Sequence, residues 1–191
     1  MNGRIFDVLP TKLWSTNLPN EKLPNLIMMK TQLPIIALIF CGLTAFAQQT
    51  KPAPPLNYGE PVNLEMAKKI AEAAEAFASK NQWTVVIAIV DTGGNLVLLQ
   101  RMDNTQIGSV DVAHGKARTA NNFKRATKAF EDAVAGGGVG LRVLSLEGAY
   151  VIEGGEPIIS NGKIIGGIGI SGMTATQDGE VAKAGLAVLT K

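Results

Sequence analysis

A chain of 191 residues with one cysteine, Cys41, and one histidine, His114, has few of the side chains that hold metals. One imidazole excludes a multi-histidine metal centre, and no nucleophile-elbow sequence accompanies it to suggest a Ser-His-Asp triad. Cys41 falls in the leader described below, so a mature chain would contain no thiol, which excludes both disulfides and thiolate–metal chemistry. No apolar run reaches the roughly 20 residues that span a bilayer, and no repeat recurs at the solenoid periods. An excess of charge is also missing. The leader holds four of the 18 basic and two of the 16 acidic residues, which leaves the remainder balanced at zero. Nothing global therefore recruits nucleic acid or an anionic membrane. Hydrophobic content of 46% with 18% charged residues is that of one ordinary globular domain.

The first fifty or so residues differ from the rest. Leu33 to Phe46 is an almost uninterrupted apolar run that follows Met29-Lys30 and ends in Ala45-Phe46-Ala47. A charged start, a short apolar stretch and an A-x-A site are the layout of a secretory signal. The expected organisation is a misannotated or non-native lead over 1–28 with the true start at Met28 or Met29, a signal peptide over 29–47, a Pro-rich linker over 48–60, and a folded domain over 61–191. The product is then exported, to the periplasm or the medium, with no stable membrane insertion after cleavage.

Local patterns within the domain predict helix, hairpin, helix, hairpin, helix. Asn63 caps a helix that runs to about Lys80, with Leu64, Ala67, Ile70, Ala71, Ala74 and Phe77 on one face. Trp83–Val90 and Leu96–Gln100 flank Asp91-Thr92-Gly93-Gly94-Asn95 as an antiparallel hairpin. Apolar residues from Val112 to Val134 recur at helical spacing, with an interruption near Asn121-Asn122, and Gly136 to Gly140 stops the pattern in a flexible loop. Ile158–Ser160, Asn161-Gly162 and Lys163–Ile170 form a second hairpin around a type I′ turn. Thr174-x-x-Gln177 reads as a capping box opening the last helix. The expected class is α/β, or α+β, with a mainly antiparallel sheet of about five strands flanked by helices.

Gly167-Ile168-Gly169-Ile170-Ser171-Gly172 satisfies G-x-G-x-x-G, but only 19 residues follow it, too few for the second strand of a dinucleotide unit. These glycines are better explained by close approach of a helix or a neighbouring subunit. Extended as one helix, 114, 118, 121, 125 and 128 share a face, which would line up His114, Arg118, Asn121, Arg125 and Lys128. Such a face is either simply solvated or a site in which an imidazole ligates iron while Arg and Lys pair with carboxylates such as heme propionates. Glu147, Tyr150, Glu153 and Glu156 are candidates for further polar contacts, and Met102 for a soft second iron ligand.

Four blocks in order carry a resemblance: Val85 to Asp103, Lys116-Ala117-Arg118-Thr119-Ala120 with Phe123, Gly154-Gly155-Glu156-Pro157-Ile158, and Gly167 to Gly172 with Gln177-Asp178. Together they resemble the GlcG/HbpS family, also called the heme-degrading domain family, over about Leu64 to Leu189. The chain is also similar to the C-terminal domain of PduO-type proteins, without their adenosyltransferase domain. The resemblance implies a profilin-like fold, homo-oligomeric assembly, and heme binding with slow degradation or iron sensing in some members. The expected cofactor is heme, with His114 as axial ligand to its iron, Arg118 and either Lys116 or Arg125 as propionate partners, and Phe123 packed near the ring. Two alternatives remain: an accessory protein or enzyme that binds a small organic acid such as glycolate, and an oligomeric assembly protein without ligand.

Overall fold

The computed structural model describes residues 54–190. The expected leader, its expected cleavage site and Cys41 lie outside them. Helix α1 (Leu64–Lys80) starts where its cap predicts: the Asn63 side chain accepts the Met66 N–H at 2.9 Å. Strands β2 (Val86–Asp91) and β3 (Leu96–Arg101) form the first hairpin. Its turn is tied by the Asp91 carboxylate, which accepts the N–H groups of Gly93 and Asn95 at 2.8 and 2.9 Å.

Strands β4 (Gly155–Ser160) and β5 (Lys163–Ser171) form the second hairpin. Asn161 and Gly162 both have positive φ, 49° and 70°, as a type I′ turn requires. Helix α4 (Ala175–Leu186) opens on the predicted capping box between Thr174 and Gln177. Thr174→Ala should cost about 1 kcal/mol in urea unfolding, the usual worth of such a cap.

β5 is the hub of the five-stranded sheet. β2 and β4 pair with it antiparallel, β3 extends β2, and a two-residue strand β1 (Asn57–Tyr58) runs parallel to Lys163–Ile164. β1 falls in the stretch read as linker. Two residues that pair with a strand more than a hundred positions later leave no local periodic trace.

The sheet is covered on both faces, and the alternation of its residues says by what. Ile87 and Ile89 of β2, with Ile168 and Ile170 of β5, pack into the main core with Ala67, Ile70, Ala71 and Ala74 of α1 and Val181 and Ala182 of α4. Val86, Ala88 and Val90 point the other way, onto Ala113 and Ala117 of helix α2 (Ser109–Asn122). Burial on both faces is why β2 reads as a continuous apolar run. On β5 the α2 side is glycine. A Cβ added at Gly167 or Gly169 would sit on the carbonyl oxygens of Ala117 and Ala113, so the G-x-G spacing lets a helix backbone lie on the strand.

The helical pattern between Ser109 and Val134 is two helices, and the break falls at the interruption expected near Asn121-Asn122. α2 ends at Asn122, Lys124 takes a positive φ of 56°, and helix α3 (Lys128–Ala135) follows. A tertiary tie holds the start of α3: Thr127 donates its N–H to the Gly155 carbonyl oxygen and accepts the Gly155 N–H on its hydroxyl, each at 2.9 Å. The glycine stretch expected as a loop becomes a 3-10 segment, Gly138–Ser145. No helix among the described residues is long and apolar enough to cross a membrane.

Candidate functional site

The break after Asn122 dissolves the single polar stripe expected along one long helix. Of its members, His114, Arg118 and Asn121 remain on α2, while Arg125 lies in the connection and Lys128 opens α3. Asn121 is fully buried. Its amide donates to the Thr92 carbonyl oxygen at 3.1 Å, which locks the end of α2 to the first hairpin turn. Arg118 is exposed beside that same turn, close to Gly94.

Lys116 cannot serve a propionate. It is 1% exposed, and its Nζ lies 2.8 Å from the Asp178 carboxylate and 3.0 Å from the Ile170 carbonyl oxygen. Gly154 closes over the ammonium group, since a Cβ there would stand 2.8 Å from it. Asp178 also accepts the Met173 N–H at 3.1 Å. Burial pushes the Asp178 carboxyl above its ordinary value, against the opposing pull of Lys116. This ion pair joins α2, the start of β4, the end of β5 and the start of α4. The residues that make the sequence resemblance so distinctive are thus in part the fastening of the fold.

His114 is half-buried, and its Nε2 is shielded from solvent with no hydrogen-bond partner among the described residues. An unpartnered shielded nitrogen is the kind of group that a ligand satisfies. It is not among the residues that line the pocket described next.

The pocket forms where α2 ends. A cavity of about 360 Å³ is lined by Phe123, Arg125, Phe130, Arg142, Val143, Ser145 and Leu146. Phe123 and Phe130 meet edge to face, with ring centroids 5.4 Å apart and planes at 71°. The Arg125 guanidinium lies 5.5 Å from the centre of the Phe130 ring, and its Nε donates to the Phe123 carbonyl oxygen at 3.2 Å. Neither Arg125 nor Arg142 is ion-paired among the described residues. Two uncompensated guanidinium groups over aromatic and aliphatic walls can take carboxylates on a flat apolar body.

Phe123 and Arg125 were legible as candidates; Phe130, Arg142 and Leu146 were not. Phe130 reads as the apolar face of a helix, and Arg142 follows a glycine run that gives no hint of the 3-10 turn presenting it. Val139, Leu141 and Leu144 of that segment are exposed, at 73%, 48% and 60%, and extend the apolar surface. An apolar stretch straight after a glycine cluster was the available signal.

The remaining candidates lie elsewhere. Met102 packs against the main core, so it is not offered to a ligand. Glu153 is buried, with Lys183 3.5 Å away. Burial pushes Glu156 up from the usual glutamate value, with Lys183 opposing and the Glu153 charge adding to the shift. Tyr150 lies against Gly115, and its N–H donates to the Thr119 hydroxyl at 2.8 Å. Glu147 is exposed. None of these lines the cavity.

Known proteins resemble the folded part of the chain throughout. Protein GlcG of Escherichia coli K12 is 42% identical over 110 residues, 58% of this chain and 81% of GlcG. The crystal structure of HbpS superposes with a TM-score of 0.63 at 31% identity, covering 70% of this chain and 94% of that one. The crystal structure of a PduOC:heme complex superposes at 0.60 with 31% identity, covering 66% and 94%. The family model described as haem degrading protein HbpS-like matches residues 62–187, the span that runs from the foot of α1 to the end of α4, and the chain belongs to that family.

Proposed function

We propose that this domain binds heme in the pocket at the end of α2, with Arg125 and Arg142 pairing the propionates and Phe123 and Phe130 flanking the ring. The observation that carries the reading is the pair of uncompensated guanidinium groups over aromatic walls in one cavity. The bound heme of the related PduOC structure supports the choice of ligand. A small hydroxy acid such as glycolate suits the site less well, because it would answer a guanidinium group and leave the phenyl and aliphatic walls unfilled. The apolar run Leu33–Phe46 with Ala45-Phe46-Ala47 supports export of the mature domain as part of the same proposal.

A second reading places heme against His114 instead, its iron taken by the unpartnered Nε2. Hemin titration followed by the Soret band separates the two. If the pocket is the site, Arg125→Ala and Arg142→Ala each weaken binding about tenfold, the worth of a lost charge-assisted contact, while His114→Ala leaves the spectrum unchanged. If the imidazole is the ligand, His114→Ala shifts the band and the arginine variants bind normally. No binding by the unaltered protein would end both.

A further inference from the structure

The pocket supplies charge and ring faces but nothing that ligates iron well. Its one side-chain oxygen is the Ser145 hydroxyl, which already donates to the Arg142 carbonyl oxygen at 2.7 Å. Axial ligands of heme iron are imidazole, thiolate, thioether or phenolate, and no such group lines the cavity. The chain's single imidazole, His114, is not among the residues that line it. Binding strength here has to come from the two guanidinium groups and from contact with Phe123 and Phe130.

We infer that the pocket recognises a tetrapyrrole by its paired carboxylates and the face of its ring, indifferently to the metal at its centre, so that metal-free protoporphyrin IX is a ligand equal to hemin. This rests on the heme-binding reading and narrows its ligand class to flat, apolar dicarboxylates. It also sets the site apart from one built around iron. A metal-centred pocket discriminates against the empty macrocycle; this one discriminates against loss of the acid groups.

The purified protein is titrated with protoporphyrin IX by fluorescence anisotropy, and hemin is measured by displacement of that fluorescence. The expected result is dissociation constants within about threefold of each other, less than 1 kcal/mol apart. Arg125→Ala and Arg142→Ala should weaken both ligands alike, by about tenfold. Protoporphyrin dimethyl ester, which has the same ring without the charges, should also lose about tenfold or more. Hemin bound more than about tenfold tighter than protoporphyrin overturns the inference and leaves the heme reading standing. An ester that binds as well as the free acid also overturns it, because the arginines would then be idle. If neither porphyrin binds, the heme reading itself falls. Far-UV circular dichroism of each variant, unchanged, shows that losses come from the site.

Discussion

Lys116→Met should destabilise the domain by about 3–5 kcal/mol at neutral pH, the usual cost of breaking a buried ion pair and leaving one charge behind. Asp178 would remain sealed between β4 and α4 with its cation gone. The loss depends on pH, and its sign follows from the carboxyl. Burial already raises Asp178 in the intact protein while Lys116 holds it down. Without Lys116 it rises further, so between the unfolded and folded values the native variant binds more protons than its unfolded chain, and stability falls as pH rises. Urea unfolding at acid and neutral pH should therefore show a smaller deficit in acid. Lys116→Met combined with Asp178→Leu should regain most of the loss, because the pair's attraction largely offsets its own desolvation. A single variant as stable as the parent at both pH values would mean that water reaches the site.

Gly169→Val should be the most damaging single change in the sheet. The added carbons would meet the Ala113 carbonyl and the Ala117 N–H region, both backbone, so no rotamer relieves the clash. α2 has to lift from β5, which opens the layer formed by Val86, Ala88 and Val90. Overpacking of this kind costs about 1–3 kcal/mol where side chains can yield, and more where they cannot. Gly162, in the turn between β4 and β5, meets nothing within 4 Å, and its substitution should be felt through its positive φ alone. Comparing Gly169→Val with Gly162→Ala by thermal unfolding checks the assignment. The first should give little soluble protein or a far lower Tm, the second a loss of about 1 kcal/mol. Equal effects would show that α2 does not rest on the strand.

The pocket shows where reading from sequence stops. Phe123 could be selected because it accompanies the Lys116–Ala120 block, and Arg125 because helical spacing puts it on one face with His114 and Arg118. Arg142 could not, since its role depends on a 3-10 segment that is itself held by neighbours. The stripe from His114 to Lys128 failed for a related reason. Helical periodicity assumes that the helix continues, and the tie between Thr127 and Gly155, 28 positions apart, ends that assumption. Lys116 was misjudged on exposure: a lysine is ordinarily at the surface, and nothing local announces an aspartate 62 positions later that holds it inside.

What the sequence determined alone is whatever is written within a few residues: the cap at Asn63, the Asn161-Gly162 turn, the capping box at Thr174, the apolar run of β2, and the G-x-G spacing that asks for close approach of a helix or a neighbouring subunit. These are steric and hydrogen-bonding facts about near neighbours, and they suffice for an α/β sheet with helices on it. Tertiary structure decided which cations are spent inside and which remain free. Lys116 went to Asp178, while Arg125 and Arg142 were left facing one cavity. Whether a charge is paired depends on what the folded chain brings within a few ångströms of it, and that distance is not encoded in the spacing of residues along the chain.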